Sequence, residues 1–317
     1  MRDLRERVPG QALIEQLFRE WDAGRIHFGH TEDEIVIEDE ARGWYLGVHG
    51  ERWVATRLAA LGPEYTVLHS VPVGARNSDI DHVVIGPTGV FTINTKYSPG
   101  RKIWSAGYGI YVGDRAEKHF IQKLESEVRR AGERLSRACG SSAPVTGLLV
   151  FVDPAEVRRK APAGDGSGSL QVIGDAELLS TITARPPIPD LDVETVRTAA
   201  VNPKTWHNSP AESRVGSHLL QEFCALEAAV GGVRATAPTK VKTQAARSSM
   251  PRRPVRYAIP VAAKTPRQRA SSHSRKVRAS WGEMIVKFAI AIGFIAWVTS
   301  ESGQSFIRSV FAWMLGQ

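Results

Sequence analysis

Cysteine is nearly absent from these 317 residues: there are two, Cys139 and Cys224, far apart and in no Cys-x-x-Cys pattern. That argues against a disulfide framework and against a zinc site. No secretory leader is expected, because the opening stretch MRDLRERVPGQALIEQLF has basic residues but no long apolar run behind them. One region has no negative charge. From Ala228 to Gly282 there is no Asp or Glu, while Lys and Arg recur among Pro, Ser, Thr and Ala. A segment of that composition cannot bury enough apolar surface to fold, so residues 228–282 read as a disordered basic linker. Long hydrophobic runs are scarce too. The nearest is MIVKFAIAIGFIAWVTS, interrupted by Lys287 and short of the roughly 20 apolar residues that span a bilayer comfortably. There is no internal repeat.

The remaining composition is that of a globular protein. Hydrophobic residues make up 42%, and the length suffices for one or two domains with a sizeable core. A formal net charge of +8 favours anionic partners, either nucleic acid or an acidic membrane surface. Residues 283–315 form a hydrophobic C-terminal segment, expected to be helical. With the basic linker before it as the positive flank, it is expected to anchor a cytoplasmic domain to the inner face of the cell membrane. A helix packed on the domain, or one lying in the interface, is the other reading. The second option suits the apolar positions of SFIRSVFAWML, and residues 228–315 would then meet an anionic membrane.

Residues 1–42 read as an N-terminal extension, with helical periodicity over 10–22 and a short strand at Ile35 to Ile37. The core is expected to begin at Gly47, and GERWVATRLAALG, from Gly50, has helical spacing and is stopped by Gly62-Pro63. YTVLHSVPV, IDHVVIG and GVFTINTK are three β-branched runs separated by turn residues, and KIWSAGYGIYVG continues the β structure. Residues 118–138 are helical and highly charged, which predicts a solvated face. VTGLLVFVD reads as a strand buried on both faces, APAGDGSGS as a loop, and LQVIGDAELLSTI as strand, turn and helix. The order predicts an α/β domain over residues 43–215.

Within the hairpin SDIDHVVIGPTGVFTINTKYSPG, apolar strands carry Asp79, Asp81, Asn94 and Lys96. Charges in a core are costly unless paired, metal-bound or at work. Asn94 and Lys96 are two apart and share a face, and antiparallel pairing across Gly86-Pro87-Thr88-Gly89 brings Asp81 beside them. A carboxylate, an amide and an ammonium on one face suit phosphodiester hydrolysis around a hard cation, Mg²⁺ or Mn²⁺. Glu51, in the preceding helix, can add a carboxylate from above the sheet. Asp79 alone reads as a strand terminator, and His82 as turned to the other face. Arg101, Lys102 and Trp104 suit a nucleic-acid surface, or simply an exposed hairpin.

Taken in order, GVHGERWVATRL, SDIDHVVIGPTGVFTINTK and YSPGRKIW resemble the nuclease-related domain, NERD, a family similar to the PD-(D/E)xK nucleases. The resemblance implies a restriction-endonuclease-like mixed β-sheet flanked by helices. It makes Glu51, Asp81 and Lys96 the catalytic set. Asp81, Asn94 and the Thr95 carbonyl become metal ligands, and Gln122 a possible further site residue. Arg101 and Lys102 remain candidates to contact nucleic acid. Asn94 stands where the superfamily pattern has Asp or Glu. A Mg²⁺-dependent hydrolase of DNA or RNA is therefore expected, with a catalytically degenerate nucleic-acid-binding module as the alternative.

Overall fold

The structure, a computed structural model, describes residues 3–29, 35–73, 79–207 and 214–230. Helix α1 (Gln11–Asp22), the paired strands β1 (Ile26–Phe28) and β2 (Ile35–Ile37) and the long helix α2 (Asp39–Leu58) come first. Strands β3 (Thr66–Pro72), β4 (Asp79–Gly86) and β5 (Gly89–Tyr97) follow, then β6 (Lys102–Gly107), β7 (Gly109–Val112) and β8 (Arg115–Ala116). Helix α3 (Phe120–Cys139) leads into β9 (Val145–Val152), β10 (Glu156–Ala163), β11 (Leu170–Gly174) and α4 (Leu178–Thr183). Helices α5 (Val193–Val201), α6 (Pro203–Trp206) and α7 (Gly216–Ala229) close the described chain.

The β-branched runs form a five-stranded sheet in the order β11-β9-β5-β4-β3. Strands β3, β4 and β5 are antiparallel, whereas β5, β9 and β11 run parallel, so the sheet is mixed. A second sheet, β10-β6-β7-β8, grows from the same end. The architecture is mixed α/β, with several sheets flanked by helices. Side chains alternate along β4: Val83 and Ile85 join Ala131 and Leu135 of α3, while Val84 joins Val54 and Leu58 of α2. Strands covered on both sides have no polar face, which is why these segments are nearly continuous apolar runs.

The extents of α2 and β10 differ from the sequence reading. Helix α2 starts at Asp39, well before Gly47. Asp39 and Glu40 in its first turn complement the helix dipole, and Ala41, Tyr45 and Val48 are buried against α1 and α7. Strand β10 takes in Ala161 to Ala163, the start of the expected loop. Its residues 158–162 are all exposed, and it is held by parallel backbone pairing to β6, so no apolar alternation announces it. No helix among the described residues is long and apolar enough to cross a membrane. The expected basic linker beyond residue 230 and the hydrophobic segment 283–315 lie outside the described residues.

Candidate active site

Strands β4 and β5 pair regularly from Gly86↔Gly89 to His82↔Ile93 and then part. One residue further, Asp81 faces Asn94 across the opening. Its Oδ2 accepts the Thr95 N–H at 2.6 Å, so a carboxylate occupies the place of a ladder carbonyl. The ladder on Asp81's other side is interrupted as well: β3 pairs at His69↔His82 and Val71↔Ile80, while Ser70 between them has a φ of 46°. A non-glycine residue in that region is strained, and such strain gathers at functional positions. Beyond the opening, β5 pairs only with β9, through Asn94↔Leu149 to Tyr97↔Val152.

Asn94 and Lys96 share a face, as their spacing requires. The Lys96 Nζ donates to Asn94 Oδ1 at 2.6 Å and to the Thr95 carbonyl at 3.2 Å, and lies 4.9 Å from the centre of the Phe120 ring. Burial lowers the Lys96 pKa, and the charge of Asp81 opposes that shift. Asn94 is bound at its other end too. Its Nδ2 donates to both oxygens of Glu127, at 3.1 and 3.2 Å.

Glu127 is the residue that sequence reasoning missed. Helix α3 is not a solvated face throughout: Ile121, Leu124, Glu127, Ala131 and Leu135 are buried along one stripe, and Glu127 is fully inaccessible. Burial pushes its carboxyl up to about 7, against the opposing pull of Lys123. Lys123, one turn back, reaches Glu127 at 3.5 Å with half of its side chain exposed. The signal was legible in the helical period, where a glutamate interrupts an otherwise apolar stripe. Gln122 is exposed on the same helix, and its neighbour Lys123 is the residue that reaches Glu127.

Glu51 approaches from the α2 side of the sheet. Gly50 makes that approach possible: a Cβ there would lie 3.2 Å from Tyr97 Cβ and 3.3 Å from Thr95 Cγ2. The Glu51 Oε2 accepts the Gly10 N–H at 3.0 Å, at the start of α1. Burial, then Asp81, then Asp79 raise its pKa well above the usual range. Asp79, at the first position of β4, is pushed up to about 7 by burial and by Asp81, with Arg7 and Lys123 opposing. Arg7 donates to the Ser70 carbonyl at 2.6 Å, so the N-terminal residues brace this end of the sheet. His82 does turn away from Asp81's face, and its Nδ1 meets Nδ1 of His69 at 2.9 Å. Arg101 and Lys102 are exposed at the start of β6.

The oxygens gathered here are all hard donors: the Asp81 carboxylate, the Asn94 amide and the Thr95 carbonyl. The last two already accept from a cation, the Lys96 ammonium. Asp81 repels both Glu51 and Asp79, a charge arrangement that a bound cation would relieve. In donor chemistry these residues fit Mg²⁺. Among the described residues no group of three or more His, Cys, Asp or Glu side chains is placed to hold a metal, so a cation here would need the carbonyl and amide oxygens as well. A cavity of about 630 Å³ lined by Arg159, Gln171, Glu177 and Thr181 includes none of the residues above.

No curated protein and no solved structure matches this chain. A family model does match, over about a third of the chain, from within α2 to the end of β9. That span contains Glu51, Asp81, Asn94, Lys96 and Glu127. Over residues 46–152 the chain matches the model of the nuclease-related domain, NERD, which suggests a nuclease-related function at the level of the family.

Proposed function

We propose that this protein hydrolyses phosphodiester bonds of DNA or RNA in a Mg²⁺- or Mn²⁺-dependent reaction, on a restriction-endonuclease-like core. One observation supports the reading above all. Asp81, Asn94, Lys96 and the buried Glu127 come together from three elements where the sheet opens, inside the segment matched by the nuclease-related family. Asp81, the Thr95 carbonyl and the Asn94 oxygen would hold the cation, which supplies an acidified water and offsets phosphate charge. Lys96, with its ammonium held beside Asn94 and Thr95, is placed to stabilise charge that builds on a phosphate oxygen. Glu127, whose carboxyl is pushed up to about 7 by burial, suits a group that takes up a proton near neutral pH. In this reading Glu127 provides from the helix the carboxylate that position 94 does not, and Glu51 shapes the field from the opposite face.

The second reading is a nucleic-acid-binding module without turnover. Asn94 favours it, since an uncharged amide, held at both ends by Lys96 and Glu127, adds no charge to bind a metal. The deciding experiment incubates the full chain with single- and double-stranded DNA and RNA, in Mg²⁺, Mn²⁺ or EDTA. Cleavage that needs the metal and is lost in Asp81→Ala and Lys96→Ala supports the hydrolase. Cleavage unchanged in both variants, or none under any condition, rules it out for this site.

A further inference from the structure

The sheet β10-β6-β7-β8 has one closed face and one open face. Ile103, Ile110, Val112 and Val157 turn inward to pack with Leu149 and Phe151 of β9 and Ile121 of α3. Alternation then places Lys102 and Trp104 of β6, Tyr111 of β7, and Arg158 of β10 on the outer face. Their register makes a continuous row: Trp104 is opposite Tyr111 on one side and opposite Arg158 on the other. The two aromatic rings stand 5.4 Å apart at 74°, and Tyr111 is 44% exposed. Single exposed apolar residues are ordinary. Two adjacent aromatics flanked by two cations are a different surface. Glu156 is the carboxylate of this row: it pairs with Arg158 at 2.6 Å and lies opposite Lys102, so two cations against one carboxylate leave a positive sign.

We infer that this outer face binds single-stranded nucleic acid, with bases stacked on Trp104 and Tyr111 and phosphates on Lys102 and Arg158. Exposed aromatic rings beside flexible cations are what single strands need, because every unpaired base has a face to stack while the charges follow the backbone. Bases in a duplex are already stacked on each other and cannot use the platform. The location agrees: the links 98–101 and 153–155 join this sheet directly to the ends of β5 and β9. Lys102 is six positions after Lys96, so the two lie within roughly 20 Å. The inference rests on the nuclease reading for its purpose, and names the strand form that such a site would receive.

The test measures binding by fluorescence anisotropy, with the full chain in EDTA, so it is independent of any cleavage. The probes are DNA and RNA strands of about 20 nucleotides, base-bearing or abasic, plus a duplex of the same length. Basic residues elsewhere in the chain bind phosphates equally in both single strands, so the affinity ratio isolates stacking. The base-bearing strand should bind at least about fivefold tighter than the abasic one. That ratio should fall to near one in Trp104→Ala and in Tyr111→Ala. Lys102→Glu with Arg158→Glu should weaken both strands and flatten the salt dependence. Tyr111 is exposed, so Tyr111→Ala decides the matter even if Trp104→Ala fails to fold. Equal affinity for both strands, a ratio that survives Tyr111→Ala, or duplex binding as tight as single-strand binding would each overturn the inference. Binding as expected with no cleavage in Mg²⁺ would sink the hydrolase reading and leave the platform standing.

Discussion

Replacing Asn94 with Asp restores the acidic residue of the superfamily pattern, yet the geometry predicts a less stable protein at alkaline pH. Asn94 Nδ2 is the donor to both Glu127 oxygens, at 3.1 and 3.2 Å. An Asp at that position removes the donor and sets a second carboxylate against the first. Two like charges at that separation repel by about 5 kcal/mol at an effective dielectric of about 20, and the pair escapes most of this by keeping one proton. Glu127 is already pushed up to about 7, principally by burial. Because its folded-state pKa lies above the unfolded value near 4.5, the folded chain binds the proton more tightly. The stability this contributes is present below about pH 4.5 and is lost as pH rises through about 7, by up to about 3 kcal/mol. Asn94→Asp extends that loss to higher pH. We expect a variant close to wild type at about pH 5 and destabilised by about 1–3 kcal/mol at about pH 8.5. Asn94→Asp combined with Glu127→Gln reverses donor and acceptor and should recover at least about 1 kcal/mol. Urea unfolding of the four proteins at both pH values gives the complete double-mutant cycle. A variant as stable as wild type at the higher pH, or a coupling below about 0.5 kcal/mol, would refute the pairing of Asn94 with Glu127.

Three further outcomes follow from the same geometry. Burial lowers His69 to about 4 and His82 well below its usual value, so the unfolded chain protonates first; stability should fall as pH drops from about 6.5 to 4, and His69→Gln should flatten that limb in urea titrations. Asp81→Asn retains an oxygen that can accept the Thr95 N–H and should melt near wild type, whereas Asp81→Ala leaves that buried N–H unpaired and should cost about 1–3 kcal/mol; both should abolish any metal-dependent cleavage. Gly50→Val forces α2 off Thr95 and Tyr97, which should cost about 1–3 kcal/mol in thermal unfolding and reduce cleavage by shifting Glu51.

The central strands were legible because burial on both faces leaves an apolar run that turn residues delimit, and Asp81, Asn94 and Lys96 stood out as polar residues within such runs. What periodicity along one strand cannot show is where two strands separate. The opening at Asp81 depends on Ser70 in β3, on a carboxylate replacing a ladder carbonyl, and on β5 remaining paired to β9 alone. All three belong to different segments. The charge on α3 misled for the opposite reason. Lys, Arg and Glu fill the helix, so composition says solvent, while only the spacing 121, 124, 127, 131, 135 shows that Glu127 sits in the apolar stripe. That spacing bears directly on Asn94. Judged along its own strand, the amide is a lost carboxylate. Judged across the fold, it is a donor to a buried carboxylate one layer away, and an Asp at position 94 would have left Glu127 without that partner. The two residues are therefore one unit, and a test of either alone reports on both.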